Sequence, residues 1–294
     1  MSHARLVFVH GRAQEFKDAV TLKAEWVAAL RAGMGKSGLE LPIADTEIRF
    51  PYYGQTLHDL ISDVADVAEV VVRGGSGGLD AEQRFQQAVL EEVRQARGIT
   101  DEQVEEMLAT DVRQRGPLNW EWVQAILKAI DRHVPGASDL SIAIATRDVY
   151  QYLKNPGVRD AIEAGVRQAM TPGVPSIVVA HSLGTVVAYN LLRREGAAAG
   201  WQVPLLVTLG SPLGVKAIRS ALSPIEHPAC AGQWFNAMDQ RDVVALYPLS
   251  SPHFGLTPEI ENKTDVDNHT TNRHGIAGYL DDAVVAQRIY AALS

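Results

Sequence analysis

Two apolar runs meet at Ala180-His181-Ser182-Leu183-Gly184, and that junction constrains the chain more than any other stretch. The run before it, Ser176-Ile177-Val178-Val179-Ala180, is short and β-branched, as a strand buried on both faces is. The run after it, from Thr185 to Leu192, reads as an apolar helix. A strand that passes into a helix through one serine demands small residues two before and two after that serine, because strand and helix approach closely there. Ala180 and Gly184 both meet that demand, although glycine is the usual residue at the first position. Ser182 is therefore a candidate nucleophile on a sharp strand-to-helix turn, with its helix N-terminus aimed at developing negative charge. A serine N-cap has the same local pattern, so the companions of Ser182 decide between the two readings.

The rest of the chain repeats the strand-helix alternation. Strands are expected at Leu6 to Val9, Asp45 to Tyr52, Pro175 to Ala180, Pro204 to Leu209 and Gln233 to Met238, with a mostly polar edge strand at Ile260 to Val266. Helices are expected over 19–33, Asp148 to Met170 and Gly275 to Leu293. This predicts an α/β fold with a mostly parallel sheet of about six strands flanked by helices. Between residues 57 and 147 the alternation stops. Helical patterns follow one another there, at Leu57 to Val72, Ala81 to Ala96, Asp101 to Leu108 and Trp120 to His133, with a glycine-rich joint at Arg73 to Gly78. The expected organisation is a core of residues 1–56 and 148–294 carrying a helical cap or lid, 57–147. Trp120, Trp122, Ile126, Leu127 and Ile130 form an amphipathic stripe in that cap, read first as helix packing and second as the wall of an acyl pocket.

Composition excludes several classes. The net charge is -8, from 27 basic and 35 acidic residues, against the basic balance of a nucleic-acid binder. No stretch among the 294 residues approaches the roughly 20 apolar residues of a membrane helix. The apolar run near the N-terminus is too short for a signal-peptide core, and the single cysteine, Cys230, forbids an internal disulfide, so a cytoplasmic protein is expected. Cys230 reads as a small packing residue. Gly33-Met34-Gly35-Lys36-Ser37-Gly38 matches a dinucleotide fingerprint in letters alone: a helix precedes it and a strand follows, the reverse of what the pyrophosphate needs. It reads as a helix end and turn. Asp265, Asp267 and His269 lack the companions of a metal loop and read as a solvated segment, so neither a metal nor a cofactor is assigned.

The first strand ends in His10-Gly11-Arg12. An oxyanion hole takes one backbone N–H from such a loop and one from the residue after the nucleophile, here Arg12 and Leu183, with His10 and Gly11 letting the backbone turn in closely. After the fifth strand, Asp242 stands where an acid would orient a histidine, with Asp239 as runner-up. Downstream lie His253, His269 and His274. His274 precedes the closing helix and is the preferred general base, ahead of His269. His181 neighbours the serine and reads as a supporting residue.

Taken in order, VHG, AHSLGT, LGSPLG, the stretch Trp234-Phe235-Asn236 through Asp239 and Asp242 to Ala245, and RHGIAGYL resemble the α/β-hydrolase superfamily on its lipase and esterase side. The resemblance spans about residues 4–56 and 148–294; the insertion carries no such signal. It implies the α/β-hydrolase fold, a triad of Ser182, Asp242 and His274, and hydrolysis of small-molecule carboxylic esters through an acyl-enzyme. The superfamily's common Asp-Pro-Val is here Asp242-Val243-Val244. The abrupt start implies that the superfamily's first hairpin is missing. Amidase, thioesterase or acyltransferase chemistry would use the same site, and a non-catalytic binding scaffold is the alternative from another class.

Overall fold

The computed structural model describes residues 4–11, 18–54, 79–110, 112, 119–135 and 139–294. The expected helix at Leu57 to Val72 and the glycine joint up to Gly78 lie outside them, as does Arg12. Six parallel strands form one sheet in the order β2-β1-β3-β4-β5-β6. They are β1 (Arg5–Val9), β2 (Ile48–Arg49), β3 (Ser176–His181), β4 (Val203–Leu209), β5 (Ala231–Ala237) and β6 (Glu261–Lys263). Helices flank the sheet, giving the α/β class expected from the alternation.

Each inner strand divides its side chains between two cores, as a pleated strand must. Leu6 and Phe8 of β1 and Ile177 and Val179 of β3 join one core. That face is covered by α1 (Ala19–Gly35), α9 (Ile276–Leu280) and α10 (Ala283–Leu293). Val7, Val9, Val178 and Ala180 point the other way, into a larger core. The second face is covered by α2 (Ala81–Ala96), α3 (Asp101–Glu105), α4 (Asn119–His133), α5 (Asp139–Lys154), α6 (Pro156–Ala169), α7 (Leu183–Leu191) and α8 (Lys216–Leu222). None of the described helices is long and apolar enough to cross a membrane.

Several elements differ from the sequence expectation: the edge strand expected at Ile260 to Val266 is Glu261–Lys263, and the helix expected at Asp101 to Leu108 is Asp101–Glu105. The second strand shrinks to Ile48–Arg49, which pair with Leu6 and Val7; a 3-10 turn takes Asp45–Glu47, and Pro51, lacking an N–H, follows. The helix expected over Asp148 to Met170 is two helices, α5 and α6. Asn155 caps α6 through bonds from the Gly157 and Val158 N–H groups, and Pro156 occupies its first position. α5 starts at Asp139, so the expected boundary at residues 147 and 148 falls within a helix. The closing helix also divides, where Asp282 caps α10.

The glycine-rich segment after α1 is a helix end and a left-handed turn at Gly38. Gly33 lets α1 approach the end of α9 and the start of α10: a Cβ there would sit 3.0 Å from Asp281 and 2.9 Å from the Ala286 side chain. The stripe on α4 packs inward. Trp120, Ile126 and Ile130 are buried in the larger core, with Trp122 and Leu127 packed against it.

β1 lies between β2 and β3, so the chain leaves it toward one edge and later fills the other side. A crevice opens outside the carboxyl ends of strands at such a reversal, and ligands bind there in open α/β sheets. Ser182 directly follows β3 at that point.

Candidate active site

Ser182 has φ 55° and ψ -128°, a conformation that non-glycine residues avoid. Strain of this kind costs about 1–3 kcal/mol and persists only where surrounding contacts enforce it. Here they do. The Ser182 N–H donates to the Leu209 carbonyl at 3.1 Å, and its own carbonyl accepts from the Thr185 N–H at 2.9 Å and the Thr185 hydroxyl at 2.7 Å. Thr185 Oγ1 is in turn 2.8 Å from Ser211 Oγ. Gly184 is required sterically, because a Cβ there would fall on the carbonyl oxygens of Val9 and His10. A Cβ on Gly11 would come within 2.8 Å of Ser182 Cβ. Ala180, fully buried and paired with Val9 and Thr208, fits the same packing from the strand side.

The turn leaves Ser182 Oγ 2.8 Å from Nε2 of His274, 92 residues later. His274 Nδ1 lies 2.7 Å from Asp242 Oδ2. An ionised carboxylate only accepts, so Nδ1 carries the proton and Nε2 is left to accept from the serine hydroxyl. Asp242 is wholly buried. Burial alone would raise its pKa, but the facing His274 and hydrogen bonds from His274, Tyr279 and the Val244 N–H outweigh it and hold the carboxyl below its usual range. Tyr279 donates to Oδ2 at 2.6 Å, while Oδ1 accepts from Val244 and Ala245. Asp239 faces elsewhere: its carboxylate accepts from Arg241 and from the Asn268 N–H. His269 is bound to Asp281, and His253 is stacked on Tyr247. Lys263 pairs with Asp265, and Arg241 and Arg273 pair with Asp267.

The two histidines flanking the serine turn are structural parts of the site. His10 Nε2 accepts from the Tyr53 N–H at 3.0 Å, so its Nδ1–H donates to the Gly11 carbonyl at 2.6 Å. Its ring stacks on Tyr53, whose hydroxyl bonds the His10 carbonyl, and burial lowers its pKa to about 4. His181 Nε2 donates to the His274 carbonyl at 2.7 Å, and burial, aided by the nearby His274, lowers its pKa to about 3. Both rings are therefore neutral near pH 7.

Leu183 opens α7, and its N–H belongs to the first turn, where no residue of the helix can accept it. It is thus available to an oxyanion on the serine side of the turn. The second donor expected for that role, Arg12, is outside the described residues. A narrow cleft adjoins Ser182 and Leu183. Its walls are almost entirely apolar: Val89 and Val93 from α2, Ile142 and Val149 from α5, and Val215, Val243 and Val244 from the core. The α4 stripe takes no part.

Tyr279 and Gly210 escaped the sequence reading. Tyr279 lies in the RHGIAGYL segment, where its spacing from His274 places it one turn into the helix behind the base. Gly210, at φ 58°, lets His274 and Tyr279 close over the end of β4, where a Cβ would meet both rings at 3.0–3.2 Å. Compared with protein-family models, curated proteins and solved structures, the chain matches none.

Proposed function

We propose that this chain is a serine hydrolase of carboxylic esters, with an α/β-hydrolase architecture of the lipase and esterase type. The observation that carries the reading is the Ser182–His274–Asp242 relay, with contacts of 2.8 and 2.7 Å, held on a strained turn beside an apolar cleft. His274 takes the serine proton as Oγ attacks the ester carbonyl. The tetrahedral intermediate collapses to an acyl-serine as His274 protonates the departing alkoxide, and water then repeats the sequence with the same base. Asp242 fixes the tautomer and stabilises the imidazolium. The Leu183 N–H supports the oxyanion, a donor class worth ~10²–10³ in rate. Arg12 is the proposed second donor.

The cleft supports an apolar acyl group and a small-molecule substrate. Turnover of a p-nitrophenyl ester series of increasing acyl length tests this. Val93→Trp, which fills the α2 wall, is expected to cut activity on the longer acyl groups far more than on acetate. Uniform loss across the series, or no hydrolysis by the unmodified chain, contradicts the reading.

A further inference from the structure

Arg97 ends the cap helix α2, yet its guanidinium reaches across to the acid turn. Nη1 donates to the Gln240 carbonyl at 2.6 Å and Nη2 to the Asp242 carbonyl at 2.7 Å, spanning 143 and 145 residues of sequence. The turn it holds runs from Asp239 to Asp242 and is closed by the Asp242 N–H on the Asp239 carbonyl at 3.0 Å. The Asp242 carboxylate is already fully engaged, by Val244 and Ala245 at one oxygen and by His274 and Tyr279 at the other. What sets the position of that carboxylate is therefore the backbone beneath it, and Arg97 grips that backbone from the cap side. Burial works against the guanidinium charge, while the nearby carboxylates of Asp242 and Asp239 favour it. Two carbonyls accepting from one planar fork is a geometry that a single ammonium cannot reproduce.

The same helix lines the cleft with Val93 and Val89, one and two turns before Arg97. It has a second tie to the core: the Glu92 carboxylate accepts from the Lys216 N–H at 2.9 Å, at the start of α8. The two ties differ in what they hold. Glu92 joins the helix to the start of α8, outside the cleft, and Arg97 joins it to the acid turn.

We propose that Arg97 is a positioning residue for the Ser182–His274–Asp242 relay, setting the Asp242 turn through the two carbonyls it binds. The proposal rests on the hydrolase reading above. It predicts that a change at Arg97 falls mainly on kcat, with only a small change in KM through Val243 and Val244, which follow the turn and line the cleft.

The test compares steady-state ester hydrolysis by the full chain with that of Arg97→Ala, Arg97→Met and Glu92→Ala, each checked for folding by thermal midpoint. Both Arg97 variants are expected to lose about 10- to 100-fold in kcat with KM within about threefold, the scale of loss for a small misplacement near the chemistry. Glu92→Ala is expected to keep kcat within about twofold. Millimolar guanidinium is expected to restore part of the activity of Arg97→Ala and none to Glu92→Ala. Unchanged kcat in the Arg97 variants overturns the proposal. So do equal losses at Arg97 and Glu92 without guanidinium rescue, and so does failure of both Arg97 variants to fold. An inert unmodified chain contradicts the hydrolase reading, whereas an active chain with equally active Arg97 variants contradicts the Arg97 assignment alone.

Discussion

His181 donates a hydrogen bond from Nε2 to the backbone carbonyl of His274, at 2.7 Å. The residue beside the candidate nucleophile thus holds the main chain of the candidate base. The ring of His181 also lies 4.8 Å from that of His274, centroid to centroid. His181→Phe keeps the ring and removes the donor. It is expected to lower kcat about tenfold through loss of alignment and to leave KM nearly unchanged. Steady-state kinetics on one ester check this, and an unchanged kcat would reduce His181 to a packing residue.

Acid sensitivity follows from two buried imidazoles. His10 and His181 have pKa values lowered to about 4 and about 3, mainly by burial. Unfolded, each takes a proton near pH 6.5, so below that pH the unfolded chain binds protons that the folded chain refuses. Their stabilising contribution is present above about pH 6.5 and is lost as pH falls toward their folded pKa values, at up to ~1.4 kcal/mol per pH unit for each ring. Urea unfolding at pH 7, 6 and 5 should show this decline, and His181→Phe should reduce the slope. A flat stability from pH 7 to 5 would contradict it.

Asp242 and Asp239 stand three residues apart and face different partners. Asp242→Asn is expected to lower kcat by about 10⁴-fold, the effect of losing the orienting acid of such a relay. Asp239→Asn weakens the contacts with Arg241 and Asn268 and is expected to lower stability with a much smaller effect on kcat. Parallel kinetics and thermal unfolding of the two variants separate these outcomes, and a larger kcat loss at Asp239 would reverse the assignment.

The backbone of Ser182 provides a stability test independent of any substrate. At φ 55° glycine is at ease and alanine is not. Ser182→Gly is therefore expected to be more stable than Ser182→Ala by about 1 kcal/mol, despite the entropy glycine adds to the unfolded chain. Equal denaturation midpoints would place the strain elsewhere.

Much of this architecture was legible in the residues because it rests on local pattern. Short β-branched runs mark β1, β3, β4 and β5, and small residues around Ser182 mark the turn. Asp242 follows in the loop past β5, and His274 stands just before α9. The helix breaks were missed despite local signals, Asn155-Pro156 and Asp282, because the apolar periodicity runs on through them. The long stripe at Trp120 was readable as amphipathic, but its partner was not: periodicity marks a buried face without saying what it packs against. Arg97 could not be found at all. A side chain that binds two backbone carbonyls more than a hundred residues away asks nothing of the residue types it meets.

The central claim is that Ser182 is an activated nucleophile. Labelling with a fluorophosphonate probe, followed by mass-spectrometric location of the adduct, tests it directly. The unmodified chain should be labelled at Ser182, and Ser182→Ala should take up no probe. Labelling of both proteins to the same extent, or of neither, would contradict it.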